Sequence, residues 1–204
     1  MVKPGDMFAG TAAHYGRHRP PYPEALLGDL LGETAGGGTR LVDWGCGTGE
    51  LTLPLSPSFD EAVAVDVDAE MIAAARAKAD QLGRANVRWV IGPAERIELG
   101  DATVDLLVAG SSFHWMDRAL LARRASRALT ATGVIGVAGG GSNVWGVTCG
   151  WHEVAVATIT RWLGEQRRAG SGRYAVAGRH EDYLRPAGFR LEHRDYLVAH
   201  RWNA

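Results

Sequence analysis

The stretch Leu41-Val42-Asp43-Trp44-Gly45-Cys46-Gly47-Thr48-Gly49 decides the fold of this chain. Its first four residues are mostly apolar and predict a short buried strand that ends at Gly45. Glycine then recurs at every second position, which allows positive φ angles and lets backbone N–H groups approach a ligand closely. Open α/β sheets bind ligands in such loops, at the carboxyl ends of their strands. The stretch therefore predicts a first strand followed by a ligand-binding turn.

An acidic residue follows at the distance that nucleotide-binding folds use. Ala64-Val65-Asp66 ends a second apolar run, about twenty residues beyond the glycines. An acid at the end of the second strand is placed to accept hydrogen bonds from ribose hydroxyls. The alternative interpretation is a purely structural turn with a chance acid downstream.

Two classes of cofactor fit this turn. A dinucleotide fold prefers the spacing G-x-G-x-x-G, whereas this chain has G-x-G-x-G followed by Glu50. A carboxylate beside a bound pyrophosphate is unfavourable at a helix N-terminus. A sulfonium-bearing amino acid carries no phosphate and tolerates a nearby carboxylate better. The spacing therefore favours the second class.

The apolar runs alternate with helical patterns along the chain. Turn residues bound six runs that predict strands: 41–44, 62–67, 87–91, 106–109, 133–138 and 189–199. Helical spacing predicts helices over 69–82, 118–129 and 151–168, the first with Asp68 as N-cap and Gly83 as its stop. The early strands are continuously apolar, which is typical of a parallel sheet covered on both faces. The run 189–199 instead alternates apolar and charged residues and predicts a half-exposed edge strand.

Length, net charge and cysteine content limit which kinds of fold and which kinds of partner we expect. A chain of 204 residues suits a single domain, and a net charge of -1 gives no electrostatic footprint for nucleic acid. Cys46 and Cys149 are the only cysteines, so we expect neither a disulfide scaffold nor a metal site. No apolar run approaches the roughly 20 residues that span a bilayer. The first twelve residues lack the pattern of a signal peptide. We therefore expect a cytoplasmic protein with no nucleic-acid or membrane partner.

Several segments, in this order, resemble the class I S-adenosylmethionine-dependent methyltransferases. The stretch 43–49 looks like their first motif, and the stretch 64–68 with Met71 looks like their second. Tyr15 and the stretch 19–23 are similar to the N-terminal segment that closes over the cofactor in the subgroup that resembles the ubiquinone-biosynthesis enzymes. Further similar segments are 92–95, 105–108 leading to 113–115, and 184–189. The resemblance implies a Rossmann-like three-layer α/β sandwich, with a helical lid over residues 1–35 and a cofactor-binding core over 36–204.

The resemblance also implies roles for single residues around S-adenosylmethionine and its product S-adenosylhomocysteine. Gly45, Cys46 and Gly47 would lie against the methionine part, and Gly110 would offer its backbone to the methionine amine. Asp66 would hold the ribose. The remaining expected contacts are Asp43 in the first motif, Tyr15 in the lid, Val67 and Met71 flanking the adenine, and Ala94 and Glu95 at the adenine edge.

Two features depart from the family pattern. Pro93 occupies a position where many relatives carry an aspartate that hydrogen-bonds the adenine amino group, and Glu95 is the candidate to compensate. Such domains also end with a reversed seventh strand, and the few residues after Ala199 leave no room for one. We therefore expect the last antiparallel strand to be missing, through truncation of the chain or loss of the strand.

Methyl transfer needs few catalytic groups, because the cofactor carries the chemistry and the protein orients it. His114, after the fourth strand, is the best candidate base, since the pKa of histidine suits proton acceptance near neutrality. A packing role beside Trp115 is the alternative that we favour. His14 and Tyr15 are further candidates from the lid. Among the tryptophans, we expect Trp162 in the core and Trp145 at an acceptor pocket.

The sequence favours a small-molecule acceptor. The slot after the fourth strand reads Ser111-Ser112-Phe113-His114, which matches neither the Asp/Asn-Pro-Pro-aromatic motif nor the Pro-Cys motif of DNA-methylating enzymes. The nature of the accepting atom and the oligomeric state stay open. Two other functions compete with a methyltransferase. One is a binding module that holds S-adenosylmethionine without turnover, and the other is an NAD-dependent oxidoreductase, which the glycine spacing and the lack of a Tyr-x-x-x-Lys pair disfavour.

Overall fold

A computed structural model describes residues 10–139, 150–164, 168–169, 172–173 and 178–196. Within these ranges it describes only the backbone of residues 13–15, 163, 168–169 and 172–173.

The main sheet has five parallel strands in the order β3-β2-β1-β4-β5. Their bounds are β1 Gly38–Trp44, β2 Phe59–Asp66, β3 Val87–Ile91, β4 Val104–Gly110 and β5 Leu129–Ala138. The chain winds outward from β1 to β3, then returns to the other side of β1 for β4 and β5. The carboxyl ends of β1 and β4 therefore flank the point where the strand order reverses, which is where such sheets bind ligands.

Helices pack on both faces of this sheet. The helices of the described chain are α1 Ala12–His18, α2 Glu24–Glu33, α3 Thr52–Leu55, α4 Ala69–Gln81, α5 Arg118–Ala128, α6 His152–Leu163 and α7 Glu181–Leu184. Successive residues of β1 and β4 belong to different core clusters: Val42 and Leu107 pack with α5 and α7, whereas Leu41 and Leu106 pack with α2 and α3. This arrangement confirms the predicted α/β sandwich with a parallel sheet.

The helix ends follow from local sequence. Asp68 accepts hydrogen bonds from the backbone N–H groups of Glu70 and Met71 and so caps α4. Gly83 follows that helix with a φ of 65°. Asp117 caps α5 through the N–H of Leu120. Both predicted helices are confirmed, and the helix predicted over 151–168 ends earlier, at Leu163.

The predicted edge strand over 189–199 is wrong for the residues that the structure describes. Residues 189–196 form no regular secondary structure, and 197–199 lie outside the described residues. Phe189 and Leu191 pack against one core cluster, whereas Tyr196 packs against the other. The segment therefore crosses from one face of the sheet to the other instead of running along a strand.

The assignment of Trp162 to the core is also wrong. Its side chain is 79% exposed, and Trp151 and Val154 on the same helical stretch are exposed as well. Helical spacing shows that apolar residues share a face of a helix, but it does not show that another element covers that face. Two short strands, β6 Arg168–Ala169 and β7 Gly172–Arg173, pair antiparallel and were not predicted. In the described ranges, no helix is long and apolar enough to cross a membrane.

Candidate functional site

The glycine turn after β1 adopts the conformation that its sequence predicts. Gly45, Gly47 and Gly49 have φ angles of 70°, 55° and 88°. The N–H groups of Gly45 and Cys46 both donate to the carbonyl of Val65, at 2.8 and 3.0 Å, so the turn is fastened to the end of β2. This leaves the turn in a fixed position at the carboxyl edge of the sheet.

Gly45 leaves no space for a side chain. A Cβ at this position would lie 2.5 Å from Cβ of Ser112 and 2.9 Å from Cε of Met116. Ser112 is held in place, because its Oγ donates to the carbonyl of Trp44 at 2.5 Å. The close approach of the β1 and β4 turns therefore requires glycine here.

Asp66 joins the glycine turn to the start of α4. Its Oδ2 accepts from the N–H of Gly47 at 2.8 Å, and its Oδ1 accepts from the N–H of Asp68 at 2.9 Å. Burial raises the pKa of this carboxyl. Each carboxylate oxygen can accept a second hydrogen bond. Asp66 therefore lies beside the glycine turn at the end of β2, with acceptor capacity left over.

Asp43 is a buried acid with an unused oxygen. Its Oδ2 accepts from Oγ1 of Thr52 at 2.6 Å, whereas its Oδ1 is buried and has no hydrogen-bond partner in the described structure. Burial raises the pKa of Asp43 to about 7, and the nearby charges of Asp66 and Glu50 act in the same direction. Buried polar atoms are nearly always hydrogen-bonded, so this oxygen has the capacity to accept a hydrogen bond from a ligand or a water.

Glu50 lines the cavity, and its carboxylate forms an ion pair with Lys78. Its Oε1 accepts from Nζ of Lys78 at 2.9 Å and from Oγ1 of Thr48 at 2.6 Å. The Lys78 ammonium also donates to Thr48 at 3.2 Å. The carboxylate that disfavours a pyrophosphate is therefore held beside the turn by a cation from α4.

The segment between α1 and α2 covers the glycine turn, and we call its residues Arg19 and Tyr22 the Arg19–Tyr22 roof. Nη2 of Arg19 donates to Oγ of Ser111 at 2.7 Å and to the hydroxyl of Tyr22 at 3.1 Å. That hydroxyl lies close to Gly110, where a Cβ would be only 2.6 Å away. Arg19 and Tyr22 thus rest directly on the carboxyl end of β4.

These elements form a cavity that is partly open to solvent and has about 250 Å³ of empty space. Its lining residues come from the roof, β1, the glycine turn and β4: Arg19, Tyr22, Asp43, Gly45, Cys46, Gly47, Glu50, Leu51 and Gly110. The cavity thus has a guanidinium in its roof and two carboxyl groups in its floor. This layout is complementary to a zwitterion, which carries one positive and one negative group.

The structure brings together only part of the predicted site. Five of the expected cofactor residues line the cavity. Asp66, Val67 and Met71 lie at or after the end of β2, and Ala94 and Glu95 follow β3. Tyr15 belongs to α1. Met71 and Ala94 are buried there, and Val67 is partly exposed. Oε1 of Glu95 accepts from the N–H of Asp117, so this carboxylate is already engaged at the start of α5.

The predicted bases are less well supported. His114 lies in the turn Phe113–Trp115, with its ring 4.6 Å from that of Trp115, and it does not line the cavity. The backbone of His14 and Tyr15 belongs to α1, but their side chains lie outside the described structure, as does Trp145. Within the described ranges, no group of three histidine, cysteine or acidic residues is placed to hold a metal ion.

Sequence reasoning missed four lining residues, namely Arg19, Tyr22, Glu50 and Leu51. Arg19 and Tyr22 fall in the N-terminal stretch that carried the family resemblance, but nothing local showed that they reach β4. Glu50 drew attention only as an obstacle to a pyrophosphate. Its position directly after the glycine turn was a usable signal.

Comparison with known proteins identifies the same region. Residues 41–133 match the model of a methyltransferase domain family. The chain is 29% identical over 125 residues to a protein of Saccharomyces cerevisiae named a probable S-adenosylmethionine-dependent methyltransferase, with 60% of this chain and 43% of that protein covered.

Two crystal structures share the fold. The YcgJ protein from Bacillus subtilis has a TM-score of 0.50 at 29% identity, over 55% of this chain and 49% of that one. A structure from Methanococcus maripaludis has a TM-score of 0.54 at 20% identity, over 83% of this chain and 79% of that one, and this likeness concerns the fold alone. The chain spans about half the length of the yeast and Bacillus proteins.

Proposed function

We propose that this chain, which belongs to the class I S-adenosylmethionine-dependent methyltransferase family, transfers a methyl group from S-adenosylmethionine to a small-molecule acceptor by direct displacement. The observation that carries the proposal is the cavity at the glycine turn, with Arg19 in its roof and the unpartnered Oδ1 of Asp43 in its floor.

The amino-acid end of the cofactor matches this cavity. Arg19 would pair with the carboxylate, since a guanidinium presents a fork of donors that suits a carboxylate. Asp43 would accept from the ammonium group and so fill its unused hydrogen-bonding capacity. The backbone of Gly45, Gly47 and Gly110 would line the space between them.

The nucleoside end would lie outside the cavity. The cavity is lined only by residues of the roof, β1, the glycine turn and β4, so it would hold the amino-acid end of the cofactor and leave the nucleoside end along β2 and β3. Asp66 would hold the ribose, and Val67 and Met71 would flank the adenine. Pro93 offers no side-chain hydrogen bond, and Glu95 is engaged at α5, so we expect weak discrimination at the adenine amino group.

The protein's part in the reaction is positioning and exclusion of water. When bound, S-adenosylmethionine supplies a reactive methyl group on a positively charged sulfur. The glycine turn and Asp66 would fix the two ends of the cofactor, and the Arg19–Tyr22 roof would shield it from solvent. A net charge of -1 supports a small acceptor over a nucleic acid.

Thermal unfolding with candidate ligands tests the cofactor. S-adenosylmethionine and S-adenosylhomocysteine at about 100 times their dissociation constants should each stabilise the chain by roughly 2.7 kcal/mol. We expect the unfolding midpoint to rise by several degrees, because 1 kcal/mol corresponds to about 2–4 °C in a chain of this size. NADH should cause no shift. A shift with NADH alone would contradict the proposal, and binding without methyl transfer to any acceptor would indicate a non-catalytic binding module.

Replacing His114 with alanine tests the candidate base. If His114 accepts a proton from the acceptor, turnover should fall by about 10²-fold while the affinity for S-adenosylhomocysteine stays within about twofold. Transfer of a radiolabelled methyl group to an acceptor identified by screening measures the first quantity, and calorimetry measures the second. His193→Ala is the control, because the His193 side chain is exposed, pairs with Asp195 and does not line the cavity. Unchanged turnover in His114→Ala would leave His114 with the packing role that we favoured from the sequence.

A further inference from the structure

The segment 189–196 ends in a cluster of charges on α2. The guanidinium of Arg194 contacts three carboxylates: Nη1 lies 3.3 Å from Asp29, Nη2 lies 2.6 Å from Glu33, and Nε lies 2.7 Å from Glu192. The hydroxyl of Tyr196 donates to Oδ2 of Asp29 at 2.7 Å. This hydrogen bond and the charge of Arg194 lower the pKa of Asp29, which therefore stays ionised. We call these five residues the C-terminal clasp.

The clasp is unbalanced in charge. One guanidinium faces three carboxylates, two of which lie four residues apart on α2 and repel each other there. An isolated surface ion pair contributes little, but a network on a shared guanidinium contributes more. Removal of Arg194 would leave the three acids facing one another, which would push segment 189–196 away from α2.

Helix α2, which carries Asp29 and Glu33, begins next to Tyr22 in the lining of the cavity. Tyr22 immediately precedes Pro23, whose carbonyl accepts the first hydrogen bonds of α2. Tyr22 and Leu26 are buried in the same core cluster, and Tyr196 packs against that cluster. Leu30 lies over Gly136 of β5 so closely that a Cβ there would be 2.5 Å from its Cδ2. The helix therefore couples the clasp at one end to the Arg19–Tyr22 roof at the other.

We propose that Arg194 is a positioning residue for the cofactor site, which holds α2 on the sheet through the C-terminal clasp and thereby keeps the Arg19–Tyr22 roof over the cavity. The proposal rests on the proposed function, because the roof matters only if the cavity binds the cofactor. Arg194 itself lies away from the cavity lining, so it acts through α2 and not by contact with the ligand.

Calorimetric titration with S-adenosylhomocysteine tests this role. We expect Arg194→Ala to weaken binding by about five- to tenfold at low salt. The difference from the unmodified chain should shrink at 1 M NaCl, where the Debye length falls to about 3 Å. Arg127→Ala is the matched control, since it removes an equal charge from an exposed pair with Asp101 at the end of α5. Its affinity should equal that of the unmodified chain.

A second variant keeps the test decisive. The double variant Asp29→Asn/Glu33→Gln removes the α2 side of the clasp and should weaken binding to a similar extent, whether or not Arg194→Ala folds. Equal affinity of the double variant and the unmodified chain would overturn the role of the clasp. Failure of the unmodified chain to bind S-adenosylhomocysteine would instead refute the proposed function, so the two failures are distinguishable.

Discussion

Replacing Gly45 with alanine is expected to weaken the binding of S-adenosylhomocysteine by more than tenfold. Because a φ of 70° costs an L-residue about 1–2 kcal/mol, the free turn would relax to another conformation. Returning it to the binding conformation would cost the complex about that free energy, and 1.4 kcal/mol corresponds to a factor of ten in affinity. The added Cβ would also meet Ser112 at 2.5 Å. Because Ser112 is buried and bonded to the carbonyl of Trp44, the turn would have to move instead. Movement of the turn would displace the backbone that lines the cavity.

Calorimetry measures this loss of affinity, and a second glycine provides the control. Gly150 is exposed, has no positive φ and, among the residues that the structure describes, has no atom within 4 Å of an added Cβ. Gly150→Ala should therefore leave both the affinity and the free energy of unfolding within about 0.5 kcal/mol of those of the unmodified chain. If Gly45→Ala binds S-adenosylhomocysteine as tightly as Gly150→Ala, the glycine turn does not hold the cofactor.

Replacing Asp43 with asparagine should make the free protein more stable and the cofactor complex weaker. Asp43 has a pKa of about 7 in the folded chain against an ordinary value of 3.8, so it opposes folding when it is ionised. The contribution of Asp43 to the free energy of unfolding is therefore highest below pH 3.8, falls as the pH rises to about 7, and stays low above that. The total decrease in the free energy of unfolding is at most about 4 kcal/mol.

We expect Asp43→Asn to recover on the order of 1–2 kcal/mol at pH 8, since a buried amide still lacks part of its hydrogen bonding. The same change removes the negative charge proposed to meet the ammonium group. Affinity for S-adenosylhomocysteine should fall by at least about tenfold at pH 8. Thermal unfolding and calorimetry measure the two effects. A variant that is both less stable and equally tight in binding would contradict this account.

The pH dependence of the affinity for S-adenosylhomocysteine distinguishes the titration of Asp43 from that of other groups. In the unmodified chain, affinity should decrease by about tenfold for each pH unit below 7, because binding would require Asp43 to lose its proton first. Asp43→Asn should lack this decrease. A profile that is unchanged in the variant would assign the titration to another group, such as a histidine.

The sequence predicted the parts of the fold that short-range patterns control. The central parts of β1, β2 and β4 are apolar runs because the middle of a parallel sheet is buried on both faces. Asp68 and Gly83 mark the ends of α4 by their own hydrogen bonds and backbone conformation. The exposed face of α6 and the path of residues 189–196 depend on what other segments cover. Periodicity within a segment does not contain that information.

In the candidate site, too, the sequence predicted the residues of one short stretch but not those brought in by long-range packing. Asp43, Gly45, Cys46 and Gly47 line the cavity because they are consecutive or nearly so in one turn, and the glycine pattern identified that turn. Arg19 reaches the cavity through contacts with Ser111, ninety-two positions away in the chain. The unpartnered oxygen of Asp43 was likewise invisible in the sequence, since it results from packing around the turn.

The order of strands in the sheet determines when during folding the site can form. The central strand β1 pairs with β2 and also with β4, where Leu41 faces Leu106. Contacts between residues so far apart in the chain must wait for a large loop to close, and folding rates fall as such contacts increase. A ribosome must therefore have synthesised the chain beyond β4 before Ser112 can reach the glycine turn. The complete site proposed for the cofactor, which includes Gly110 at the end of β4, would therefore be available only late in folding.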